Sequence, residues 1–185
     1  MSDFHPLGRR REENIAGYII GMWQVEDLMR ALALDMAQVE ERLVSTAEGD
    51  ADAKAELRGW YSGIVTRMKE QGIQRAGHLS EVEEIVNELE YLHRALVDVL
   101  NDEEYDALLA KAEPGIKAVQ QHAGGDPEGA ITSALTAVYG VMMLRSQGKE
   151  ISAETQESDA AIRGLLDRLS QHYKQMRRLP GVSLN

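Results

Sequence analysis

A chain of 185 residues with 31 acidic against 20 basic side chains carries a formal net charge of −11. That length suits one domain with a substantial core, and a hydrophobic content of 43% is that of a globular chain. The acid excess argues against a nucleic-acid partner, which draws on a basic face, and the absence of cysteine excludes disulfides, thiol nucleophiles, zinc–thiolate sites and iron–sulfur clusters.

Residues 1–11 include Arg9, Arg10 and Arg11 but no apolar stretch with a cleavage site. They read as a flexible extension and not as a signal peptide, so a cytoplasmic location is expected. From Glu12 to Thr46 the spacing predicts one helix, roughly 50 Å long at 1.5 Å per residue. Its seam is Ile15, Tyr18, Met22, Val25, Met29, Leu32, Met36, Val39 and Leu43. Ile19, Ile20, Trp23, Leu28 and Leu34 fall off that seam, so the helix is expected to be central or to reach a second chain.

A turn at Ala47–Asp52 precedes a second helix, capped by Asp50 or Asp52, with Leu57, Trp60, Tyr61, Ile64 and Met68 on one face and an end near Gly72. Ser80 and Glu83 form an S-x-x-E capping box for a third helix whose apolar positions run Val82, Ile85, Val86, Leu89, Leu92, Leu96, Val99 and Leu100. Asn101–Asp102 marks the next boundary. Asp102 caps a fourth helix carrying Tyr105, Leu108, Leu109, Ile116 and Val119, with a kink or short break expected at Pro114.

Gly124–Gly125 closes that helix, and Asp126–Pro127 opens a fifth. The uncharged run at residues 129–144 is too short for a bilayer and reads as a buried helix that ends at Gly148. Ser152 caps a sixth helix with Ile162, Leu165, Leu166, Leu169, Tyr173 and Met176 as its stripe, stopped after Leu179 by Pro180–Gly181. Nothing shows the alternation of a sheet. The expected fold is therefore all-α: an antiparallel bundle of about six helices, a four-helix-bundle-like core with extra helices over residues 12–179, followed by a loose tail at 180–185.

The stretch NIAGYIIGMWQVEDLMR at residues 14–30 resembles the N-terminal signature of an uncharacterised family of small bacterial helical proteins, a domain of unknown function. NDEEY at 101–105 and KEISAET at 149–155 are similar to the same family. The resemblance implies an all-helical, cytoplasmic bacterial protein and lends no activity.

Around the first seam, Trp23, Gln24, Glu26, Asp27 and Arg30 concentrate polar groups on an apolar helix. Glu26 lies on the core flank, where a carboxylate needs a partner. It reads as a ligand contact or a base, or, more plainly, as an ion pair with Arg30 one turn on. His93 lies beside the buried face of the third helix and completes Glu90-x-x-His93, the spacing that places two metal ligands on one helical face. A di-iron bundle requires a second copy, which the chain lacks, so a core histidine bonded to a carboxylate or tyrosine is the plainer reading.

Glu81 with Glu84, and Glu103 with Asp106, have the spacing of helical nucleotide pyrophosphatases, yet each pair sits in a first turn, where the helix dipole favours acids. Gly72–His78 has phosphate-loop glycines but His78 where lysine is required. Glycines one turn apart at Gly17 and Gly21, and at Gly59 and Gly63, point to close helix packing or room for a ligand beside Trp23 and Trp60.

No catalytic set is complete, and no metal or cofactor is expected. The expected function is non-enzymatic binding as a homodimer through the surplus apolar surface of the first or fifth helix, without membrane or nucleic acid. Trp23, Glu26, Asp27, Arg30 and His93 are the candidate ligand-binding residues. The competing expectation is a metal-dependent hydrolase or small-ligand bundle built on Glu26, Glu90 and His93.

Overall fold

Every periodic apolar stretch folds as helix, and the described residues contain no strand. The computed structural model describes residues 6–100, 102–122 and 129–178. The boundaries read at Asn101, Gly124–Pro127 and Leu179–Gly181 lie outside them. The helices are α1 (Gly8–Glu13), α2 (Ile15–Ala31), α3 (Met36–Val39), α4 (Ala51–Glu70), α5 (Ser80–Ala95), α6 (Glu103–His122), α7 (Ala130–Ser146) and α8 (Ala153–Met176). Two π-helical turns, Glu40–Val44 and Leu96–Leu100, follow α3 and α5.

The single helix expected over residues 12–46 is divided. Ala33 and Leu34 take left-handed φ values of 55° and 53°, and the Asp35 carboxylate then caps α3 by accepting the Ala37 N–H at 2.9 Å. Burial explains the break. Leu32 and Leu34 are both buried, whereas two residues of a continuous helix at that spacing point to nearly opposite sides. Left-handed backbone is costly for an L-residue, and Ala33 is exposed. Ala33→Gly is therefore expected to stabilise the protein by about 0.5–1 kcal/mol. In an unbroken helix the same change would cost about 1 kcal/mol, so the sign of the shift in a denaturant midpoint decides between the two.

The chain divides into two compact units. The first comprises Met1–Glu12 and Gly17–Glu84, the second Glu13–Ala16 and Ile85–Asn185. In the first unit, α3 and its π-helical turn pack on α4. Asp50 caps α4 by accepting the Ala53 N–H at 2.9 Å. Gly72, at φ 73°, ends it and lets the Ile73 N–H reach the Met68 carbonyl at 3.0 Å. Of the spaced glycines, Gly21 meets Leu7 Cδ1 at 3.0 Å from an added Cβ, while Gly59 faces open space, so close packing applies to the former and not the latter. The capping box is not formed as expected: Leu79 O accepts the Val82 and Glu83 N–H groups, and Ser80 N donates to Gln71 Oε1 at 2.8 Å.

In the second unit α6, α7 and α8 each pack against the other two. Asp102 caps α6 and Ser152 caps α8, as their sequences imply. α6 runs through Pro114 without the expected break. Proline removes the bond to the Ala110 carbonyl, but both residues are exposed, so water replaces it. Beside it, a Cβ on Gly115 would stand 3.1 Å from Ile162 Cδ1 and 3.2 Å from Ser158 Cβ, which fixes how closely α6 and α8 approach.

The apolar stripe expected to continue through Val99 and Leu100 does not: they are 70% and 62% exposed. The wider π-helical turn holds more residues per turn than an α-turn and slips the stripe out of phase after Leu96. α7 buries Ile131, Ala134, Leu135, Val138 and Val141. No described helix is long and apolar enough to cross a membrane.

Candidate functional site

Four of the five candidate residues lie on α2, in the first unit, and three of them hold the segment Gly72–Leu79. Glu26 is wholly buried, yet it does not pair with Arg30. Its Oε2 lies 2.7 Å from His78 Nδ1, and its Oε1 accepts the buried Leu79 N–H at 3.0 Å. Trp23 stacks on the same imidazole, centroids 4.5 Å apart and planes 20° apart.

Arg30 pairs instead with Asp27 at 2.8 Å and donates to the Ile73 carbonyl at 3.3 Å and to the Gly77 carbonyl. Gly77 presents that carbonyl from a φ of 92°. α2 thus grips one polar segment with an indole, a carboxylate and a guanidinium. A carboxylate taken fully out of water is tolerable because it accepts two hydrogen bonds.

In the second unit Glu90 closes the start of α7. Its Oε1 accepts the Ile131 N–H at 2.9 Å, the Thr132 N–H at 2.8 Å and the Thr132 hydroxyl at 3.1 Å. Gly129, the N-cap residue, has no side chain to do this locally. A buried carboxylate from another helix therefore meets the orphan N–H groups and the positive end of the helix dipole.

His93 bonds to a tyrosine. Its Nδ1 is 2.7 Å from the hydroxyl of Tyr105, which is fully buried. On the same phenol ring His172 packs edge-on, at 6.4 Å and 84°. His172 Nε2 lies 2.9 Å from Asp102 Oδ2, which also takes a hydrogen bond from Arg168 at 3.0 Å. The Tyr105 backbone N–H holds the Asp102 carboxyl below the usual carboxylate range, with Arg168 and His172 adding to the effect. Burial raises the Tyr105 phenol and lowers His93, Glu90 and Asp98 only partly offsetting the latter.

A family model described as Domain of unknown function (DUF4924) matches residues 8–179. The chain belongs to this family. No curated protein and no solved structure matches it. The DUF4924 match spans both clusters just described.

Within this DUF4924 chain, the carboxylates and imidazole of the hydrolase reading are engaged elsewhere: Glu26 with His78 and Leu79, Glu90 with α7, His93 with Tyr105. Among the described residues no three His, Asp or Glu side chains are grouped to hold a metal. Sequence reasoning passed over His78, which entered only as the wrong residue for a phosphate loop. It also passed over Arg168 and His172, whose i, i+4 spacing on α8 places both on one helical face.

Proposed function

We propose that this protein works by binding and not by catalysis, as a cytoplasmic helical scaffold that forms a homodimer. Two observations support that reading. The polar side chains with chemical potential are spent on internal bonds, at Glu26, Glu90 and His93. Large apolar side chains remain at the surface, among them Leu28 on α2 and Leu144 on α7, each 36% exposed. The interface uses the apolar surface of α2 or α7, and any small ligand binds beside Trp23, Glu26, Asp27, Arg30 or His93.

Light scattering over a concentration series is the test. The expected mass is twice the 20.5 kDa of one chain. Leu28→Glu or Leu144→Glu should halve it with little change in melting temperature, since neither side chain is buried. A strict monomer at high concentration overturns the dimer.

A further inference from the structure

The hydroxyl of Tyr105 has one hydrogen-bond partner among the described residues, His93 Nδ1. A buried hydroxyl must place its proton on an acceptor. That requirement decides the tautomer: Nδ1 is the bare nitrogen that accepts the phenol proton, and Nε2 carries the ring proton. The opposite tautomer would turn the bond round and leave the phenol O–H with no acceptor in a fully buried place.

We infer that the His93–Tyr105 bond is an acid-sensitive clasp across the π-helical turn Leu96–Leu100, closed while the imidazole is neutral and weakened when it takes a second proton. Protonation makes Nδ1 a donor, so the bond has to turn round onto the phenol oxygen and leave the buried O–H without an acceptor. The neighbouring tie between α8 and the start of α6 needs no imidazole proton, because the Arg168 guanidinium donates to Asp102 Oδ2 at 3.0 Å. The anchoring of α8 to the start of α6 by Arg168 and Asp102 thus persists in acid while the His93–Tyr105 bond loosens.

The groups bearing on His93 are Glu90, Arg94 and Asp98 from its own helix and the following turn, and Tyr105 from α6. Asp106 acts on the phenol, and His172, Asp102, Arg168 and Glu104 lie beyond it. The donors that α7 offers to this region, Ile131 N, Thr132 N and the Thr132 hydroxyl, do not titrate and are taken by Glu90.

The folded protein disfavours protonated His93, through burial first and Arg94 after it, so the unfolded chain binds that proton more readily. Stability is complete above the ordinary value of 6.5 and declines as pH falls through it.

Two measurements on the full chain test this. Long-range proton–nitrogen NMR of the imidazoles at about pH 7.5 should show His93 with Nδ1 bare and Nε2 protonated; a protonated Nδ1 overturns the clasp. Hydrogen exchange, corrected for intrinsic rates, should show Leu96–Leu100 and the first turns of α6 losing protection between about pH 7.5 and pH 5. His93→Gln should abolish that pH dependence while α8 stays protected. An equal loss in wild type and variant, or none in wild type, overturns the proposal. If His93→Gln fails to fold, the tautomer in the wild-type protein still decides.

Discussion

Gly129→Ala is expected to lower stability by about 2–3 kcal/mol, and the melting temperature by about 4–12 °C. An added Cβ would stand 2.0 Å from Glu90 Oε1, so the carboxylate must leave. Flexible surface carboxylates move at little cost. This one is buried and accepts three hydrogen bonds, so its departure strips the first turn of α7 and leaves a charge seeking new partners. The backbone of Gly129, at φ −56° and ψ 157°, suits any residue, so the requirement for glycine is purely one of space. A double-mutant cycle isolates it. Glu90→Ala alone should destabilise, and Gly129→Ala added to it should cost less than about 0.5 kcal/mol. Equal costs in both backgrounds would show that the collision is not the cause.

Glu26→Ala is the second large effect, with an expected loss of about 3 kcal/mol. The Leu79 N–H is buried and has Glu26 Oε1 as acceptor, and His78 loses the carboxylate that orients it under Trp23. Glu26→Gln should cost less than about 1 kcal/mol, because its amide oxygen still accepts from Leu79 and its NH2 donates to the other tautomer of His78. Tryptic cleavage at Arg75, inside the gripped segment, reports the local consequence: faster in the alanine variant, near wild type in the glutamine variant. Similar cleavage in all three would show that Glu26 does not hold the segment.

The fold class was open to sequence reading because helices declare themselves by period, and the caps at Asp50, Asp102 and Ser152 by local chemistry. What escaped shares one physical character. The break at Ala33–Leu34 satisfies the burial of two leucines and carries no glycine or proline to announce it. The π-helical turn after α5 carries no glycine or proline, and its hydrogen-bond spacing is what differs. Glu90 caps α7 through an amide 41 residues away, and Glu26 serves an amide 53 residues away. Helix spacing flagged Glu26, Glu90 and His93 as chemically unusual, but their partners come from tertiary contacts that no local pattern encodes.

The second unit draws Glu13–Ala16 from near one end of the chain and finishes with α8. Asn14 Nδ2 donates to Asp167 Oδ1 at 3.0 Å, and Ala16 N to Ser170 Oγ at 3.3 Å, across separations of 153 and 154 residues. On a ribosome the two units therefore mature on different schedules. Everything within Gly17–Glu84 is in hand once Glu84 has emerged, whereas the second unit waits for α8 to clear the exit tunnel before its first four residues find their place. A closure across 153 and 154 residues is a long-range step, and chain topology makes such steps slow.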